Sequence, residues 1–252
     1  MLKGISTSET VWGLGAFSRK HATFLILGNR CTRDCKFCNI EKFNTAPGRT
    51  LCIDSQEPFR IARAVRYYNL EYVVVTSVTR DDLEDGGAGH FAKAIREIKR
   101  QNPGVKTEIL IPDFGGLKQS LESVVRCSPG IIAHNLETVK KLYPLIRKKA
   151  DYNRSLGVLK NIKSINPGQK TKSSIMLGLG ETEEDLRGSL SDLRRAGCDM
   201  LVLGQYLRPS SDHCPVEKYY SPEEFKFYQE VSYDLGFKSV CAFPLARTSF
   251  LA

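Results

Sequence analysis

Short apolar or β-branched runs alternate with amphipathic stretches of helical period along most of this chain. ATFLILG at 22–28 reads as the first strand. A helix follows over 55–69, with Ile61, Val65 and Tyr68 on one face. YVVVTSV at 72–78 gives the second strand, and a helix over 89–102 presents Phe91, Ile95 and Ile98. Residues 106–111 give the third strand, followed by a helix near 117–126. Residues 130–134 give the fourth, followed by two helical stretches at 136–148 and 152–165. Residues 172–177 form the fifth strand; its helix is capped by Thr182 and buries Leu186, Leu190 and Leu193. The sixth strand is 199–203. The last helix opens at Ser221-Pro222-Glu223-Glu224, a capping box with Pro at the first helical position, and 237–242 can add a seventh short strand.

Strict strand–helix alternation implies a parallel sheet with right-handed crossovers, and continuous rather than alternating apolar runs suit strands buried on both faces. Six units fall short of a full eight-fold barrel. The expected fold class is therefore α/β, a partial (βα)6 barrel of parallel strands in a single domain, with a doubly wound flat sheet as the other option. An N-terminal extension over 1–20, the barrel over 21–242 and a C-terminal tail over 243–252 complete the division, with no linker or internal repeat. In such sheets the chemistry belongs in the loops after the strands. The polar and glycine-rich segments CTRDCKFC, TSVTRDDLEDGGAGH, NLE, LGLGE and GQYLRPSSDH all fall there.

Composition changes this picture little: 41% hydrophobic and 26% charged residues suit an ordinary globular core. No apolar run approaches the roughly 18–20 residues of a membrane span, and 1–17 lacks the apolar stretch of a signal peptide. A cytoplasmic protein without membrane association is expected. The net charge of +9 is spread along the helical segments, which leaves open a solvated basic surface or an acidic protein partner. No zinc-finger, RNP-like or aromatic-basic stretch supports nucleic acid. Eight cysteines at 31, 35, 38, 52, 127, 198, 214 and 241 are too sparse for a disulfide scaffold.

Three of them crowd into one loop after the first strand. With three and then two residues between them, Cys31, Cys35 and Cys38 can point thiolates at three corners of a cuboidal [4Fe–4S] cluster and leave one iron open. Zinc is the competing metal, but it wants four ligands, and only the Cys35–Cys38 pair has CxxC spacing. His21 lies before the first strand, at the wrong end to complete a zinc site.

The C-x3-C-x2-C spacing with an aromatic, Phe37, before the last Cys resembles the radical S-adenosylmethionine enzymes. ATFLILGNRCTRDCKFC, VVVTSVTRDDLEDGGAGHFA, HNLETV, TKSSIMLGLGETEED, MLVLGQYLRPS and ARTSFLA together resemble the lipoyl synthase family, in that order and over nearly the whole chain. The resemblance implies a [4Fe–4S] cluster whose open iron chelates S-adenosylmethionine and reductively cleaves it to a 5′-deoxyadenosyl radical. It further implies sulfur insertion at C6 and C8 of an octanoyl-lysine on an acidic lipoyl carrier domain or H protein, with a reductant such as ferredoxin or flavodoxin. A one-cluster relative that makes the radical without inserting sulfur, and a non-catalytic docking or redox module, are the alternatives.

Within that frame, Thr76 and Ser77 can bond the methionyl amine, or simply cap the strand end. Asn135 and Glu137 can accept from ribose hydroxyls, or open a solvated helix. Lys172, inside an apolar strand, is expected to pair with the methionyl carboxylate, because an unpaired buried charge is costly. LGLGE lets backbone approach the adenine, on which Phe37 can stack instead of packing in the core. Gln205 is placed on the cofactor side, with Arg208 and Arg247 toward the acyl-lysine or cluster. The resembled family has a second cluster, held by a C-x4-C-x5-C segment and a C-terminal serine. The serine is present as Ser249, whereas Val11 and Ile5 occupy the last two cysteine positions and the first would precede Met1. Cys214 and Cys241, or a partner protein, are the possible replacements.

Overall fold

A computed structural model describes residues 20–43 and 50–248. Ile5, Val11 and Ser249 lie outside the described residues. Two compact units make up the chain, Met1–Thr32 with Glu41–Ile132, and Arg33–Ile40 with Ala133–Ala252. Within each unit the strands described below pair in parallel.

In the first unit, β1 (His21–Ile26), β4 (Tyr72–Ser77) and β5 (Lys106–Leu110) pair in register, Phe24 opposite Val75 and Val75 opposite Ile109. α1 (Glu57–Tyr67), α2 (Ala88–Gln101) and α3 (Lys118–Val125) alternate with them. Val73, Val75, Phe91, Ile95, Ile98 and Ile109 are almost wholly buried, so the β-branched runs and the three-to-four-residue helix spacing meet in one core. A short parallel ladder, β2 (Arg30–Cys31) with β3 (Glu41–Lys42), is an addition that two-residue strands do not announce in sequence.

β6 (Ile131–Ala133) leads into the second unit, where β7 (Lys170–Leu177), β8 (Met200–Gln205) and β9 (Ser239–Ala242) pair in parallel. α5 (Tyr152–Ile165), α6 (Glu183–Arg195) and α7 (Pro222–Asp234) stand where periodicity places them, and both expected capping boxes form, Thr182 with Asp185 and Ser221 with Glu224.

One expected helix is mostly absent. Of 136–148, only a 3₁₀ turn at Lys140–Leu142 and α4 (Tyr143–Ile146) are helical. Glu137 adopts φ 69 and bridges to β7: its N–H donates to the Ser174 carbonyl at 2.9 Å and its carbonyl accepts from Met176 N at 2.9 Å. Those bonds to the sheet replace the first helical turn. A non-glycine residue held at positive φ costs about 1–2 kcal/mol, and such strain concentrates at functional sites.

Candidate active site

In the first unit, the cysteine loop begins where β1 ends. Leu27 (φ 65) and Gly28 (φ 85) turn the chain out of the sheet. Leu27 N donates to Glu57 Oε2 at 3.0 Å, and that oxygen also meets His90 Nε2 at 2.7 Å. The loop's stem is the β2–β3 ladder, reinforced by Phe43 N donating to the Cys31 carbonyl at 2.7 Å and by an Arg30–Glu41 ion pair at 2.9 Å. A Cβ at Gly87 (φ 93) would lie 2.4 Å from Leu27 Cδ1, so a side chain there would displace Leu27 as well as strain the positive φ.

The TRDD segment after β4 braces this stem. Thr32 N donates to the Thr79 carbonyl at 3.0 Å, and the Thr32 hydroxyl donates to Asp81 Oδ2 at 2.7 Å. Arg80, 1% exposed, forks onto both Asp82 oxygens at 2.7 Å and also donates to the carbonyls of Leu27 (3.1 Å) and Leu51 (2.6 Å). Thr76 donates its hydroxyl to the Leu110 carbonyl at 3.2 Å, whereas the buried Ser77 hydroxyl has no partner among the described residues. A buried hydroxyl without a bond suits an incoming polar group.

In the second unit, the tip of the loop holds Cys35 and Cys38 in a turn, Cys38 N donating to the Cys35 carbonyl at 3.2 Å. Three bonds fasten it: Arg33 to the Lys149 carbonyl at 2.6 Å, Lys36 N to the Ile146 carbonyl at 2.9 Å, and Cys214 N to the Lys36 carbonyl at 3.0 Å. Phe37 packs against the core that contains Leu136, Tyr143 and Leu177, the core-packing reading of that aromatic. Arg147 reaches the Cys35 side chain. Burial pushes the Cys35 thiol up, Arg147 opposes this, and Glu137 and Cys38 add to it. Besides Cys35, Arg147 donates to the Leu136 carbonyl at 3.1 Å and Tyr143 Oη at 2.9 Å, and lies over the Tyr143 ring. Its buried Nε has no partner among the described residues.

Asn135 and Glu137 are joined, Asn135 Nδ2 to Glu137 Oε1 at 3.1 Å. Burial raises the Glu137 carboxyl, and the charge of Arg147 and the Asn135 bond oppose that rise. Asn135 also exchanges bonds with the Thr248 hydroxyl at 3.0 and 3.2 Å, which fixes the start of the C-terminal motif beside it. Lys172 is 1% exposed on β7 and engaged with protein groups. Its charge bears on Cys241 of β9, whose thiol burial pushes up.

Gln205 is wholly committed to backbone. Nε2 donates to the carbonyls of Leu177, Tyr206 and Lys218 at 3.0–3.1 Å, and Oε1 accepts from Tyr220 N at 3.0 Å. Its amide therefore braces the loop after β8. The same bonds explain Gly178 (φ 104), where a Cβ would lie 2.4 Å from both Gln205 Nε2 and the Lys218 carbonyl. Glu181 closes LGLGE by accepting from Gly178 N and Leu179 N at 2.6 and 2.9 Å. Arg208 is exposed and bonds to the His213 and Ser211 carbonyls of its own loop; Arg247 bonds to the Ala246 carbonyl at 3.1 Å. Cys214 meets Tyr206 Oη at 3.4 Å through its sulfur, while Cys241 lies opposite Val202 in the sheet.

The loop's three thiols are of the type an iron–sulfur cluster takes, although among the described residues no three His, Cys, Asp or Glu side chains are gathered as for a metal ion. Cys31, Cys35 and Cys38 are all partly accessible thiols, Arg147 supplies a cation at Cys35, and an anionic group with sulfur acceptors would take the unsatisfied Arg147 donor. Nothing local in the sequence marks Arg147, whereas Arg80, Asp81, Asp82 and Thr248 lie within the TRDD and terminal segments that carry part of the resemblance.

The family model "Radical SAM superfamily" matches residues 25–193. Proteins named lipoyl synthase from Caldanaerobacter subterraneus subsp. tengcongensis and Aquifex aeolicus are each 52% identical over 236 residues. That alignment covers 94% of this chain and 81% and 84% of theirs. Among solved structures, methylornithine synthase superposes with a TM-score of 0.62 at 14% identity, covering 89% of this chain and 72% of that one. Streptococcus suis SuiB bound to S-adenosylmethionine gives 0.60 at 14% identity, covering 85% and 47%. These likenesses agree with the expected parallel α/β fold of partial-barrel type.

Proposed function

The chain belongs to the lipoyl synthase family of radical S-adenosylmethionine enzymes, and from that premise we propose how its residues divide the work. It is a radical S-adenosylmethionine sulfurtransferase that acts on an octanoylated carrier and draws its electron from a reductant. The three-cysteine loop, held by a dedicated stem and braced by TRDD, is the observation that carries this reading.

Cys31, Cys35 and Cys38 would hold a [4Fe–4S] cluster. When bound, that cluster with S-adenosylmethionine supplies a 5′-deoxyadenosyl radical able to take hydrogen from an unactivated carbon. The protein's own task is to place the ligands. The buried Ser77 hydroxyl is open to the methionyl amine, and Asn135 with Glu137 offers a paired amide and carboxyl to ribose hydroxyls. Phe37 and Gln205 act by support, one packed in the core and the other tying the loop after β8. Lys172 and Thr76 line the strands on which these groups stand.

The carrier is proposed to be an acidic lipoyl domain or H protein, on the strength of the +9 charge, and the reductant a ferredoxin or flavodoxin. With Ile5 and Val11 at the expected ligand positions, the chain is proposed to hold one cluster and to need a sulfur donor, and Ser249 alone does not make a second site.

The test is anaerobic reconstitution followed by reaction with an octanoyl-lysine peptide. About four irons per chain are expected, and about eight would establish a second cluster. Octanoyl-lysine peptide should raise 5′-deoxyadenosine yield above that of the unmodified lysine peptide. Equal yields with both would refute the acyl-lysine assignment while leaving the radical chemistry intact.

A further inference from the structure

Arg147 sits in a run of cations, Arg147-Lys148-Lys149, that sequence alone reads as a solvated helix end. Lys148 and Lys149 are indeed exposed, whereas Arg147 turns inward. Its place is fixed from several sides. The Lys36–Ile146 backbone bond sets the cysteine loop against the residue preceding it, the Leu136 carbonyl and Tyr143 Oη accept from one end of the fork, and the Tyr143 ring lies beneath it. Tyr143, Glu137 and Cys35 are the titratable groups beside it, and Asn135 extends the line from Glu137 to Thr248.

We infer that Arg147 is a positioning residue for the radical-generating cluster: it holds the Cys35 sulfur in place and stabilises the reduced cluster with its charge. The inference rests on Cys35 being a cluster ligand. Hydrogen bonds to ligand sulfurs and net local charge are among the terms that set iron–sulfur potentials. A fixed cation at a ligand thiolate stabilises the more negative, reduced state and therefore raises the potential. Glu137 opposes this in part, and the Asn135 bond keeps its carboxyl turned toward Asn135 as well as Arg147. Thr248, Asn135 and Glu137 are joined by hydrogen bonds, and Arg147 stands with its charge beside both Glu137 and Cys35, so the C-terminal motif and a ligand of the proposed cluster share one polar network within one compact unit.

The test is the midpoint potential and electron paramagnetic resonance spectrum of the reconstituted full chain in the wild type, Arg147→Gln and Arg147→Lys, with exposed Lys149→Gln as control. Arg147→Gln should load iron and shift the reduction equilibrium at least tenfold toward the oxidised cluster, about 59 mV more negative for one electron. Arg147→Lys should recover part of that shift while its spectrum stays perturbed, because a point cation replaces a fork. Lys149→Gln should match the wild type. Loss of iron from the Gln variant alone would equally support a charge-dependent hold on Cys35. An unshifted potential in Arg147→Gln, or loss of iron from both Arg147 variants, would overturn the inference in favour of a neutral or purely structural brace. A cluster that survives Cys35→Ala unchanged would instead remove the premise.

Discussion

Replacing Arg80 with Met takes the charge from a pair that is almost completely dry. Arg80 and Asp82 have side chains 1% and 2% exposed, and the guanidinium makes two bonds of 2.7 Å to the carboxylate. Burial pushes the Asp82 carboxyl up, but the Arg80 bonds and the Leu51 amide more than offset this, and it ends below the usual range. Met is close to Arg in volume, so the main loss is electrostatic rather than a cavity. Leaving one charge of a buried pair uncompensated costs about 3–5 kcal/mol. The Leu27 and Leu51 carbonyls lose donors too, but these losses overlap with the first and the same range stands for the whole. Against a typical stability of about 5–15 kcal/mol, that is a large fraction. By contrast, Lys20–Glu71 has side chains 48% and 63% exposed, and Lys20→Met should leave stability almost unchanged. Urea unfolding followed by far-ultraviolet circular dichroism measures all of these. The double variant Arg80→Met/Asp82→Leu should recover at least half of the loss, because it removes the stranded carboxylate. A single-variant loss below about 1 kcal/mol, or a double variant no more stable than the single, would refute the reasoning.

Asp199 is held between Lys163 (2.5 Å) and Lys238 (2.9 Å). Burial raises its carboxyl, but the two lysines and the Thr171 amide bring it down to about 2. A depressed folded-state value gives stability that is present above the unfolded value of about 3.9 and lost as pH falls toward about 2. Asp199→Asn should therefore flatten the stability profile between those limits, and an unchanged acid slope would contradict the pairing. Gly178→Ala should destabilise by about 1–3 kcal/mol in thermal unfolding, since it meets both a contact with backbone and a positive φ of 104. Melting at the wild-type temperature would show that the loop yields freely.

The parallel strands were legible because they are continuous β-branched runs, as in YVVVTSV, and the capping boxes at Thr182 and Ser221 marked helix starts almost to the residue. The 136–148 stretch was not. Its helical period is real, but Glu137 is held at positive φ by two bonds to β7, and no local signal foretells that tie. The cysteine loop announced itself by spacing, since the proposed ligands are neighbours in sequence. Arg147 did not, because its meaning comes from Cys35 and Glu137, and Lys148 and Lys149 disguise it as surface. Gln205 shows a role that the sequence did not announce. A polar residue at a strand end suggested cofactor contact, whereas its four hydrogen bonds all go to backbone.

The central claim is that the loop after β1 is where the radical originates. Its most direct measurement compares wild type and Cys35→Ala after identical anaerobic reconstitution and reduction, recording cluster absorbance and the conversion of S-adenosylmethionine to 5′-deoxyadenosine. The wild type should show both, and the variant should lose both together. Cleavage at the wild-type rate by Cys35→Ala would contradict the assignment of that loop.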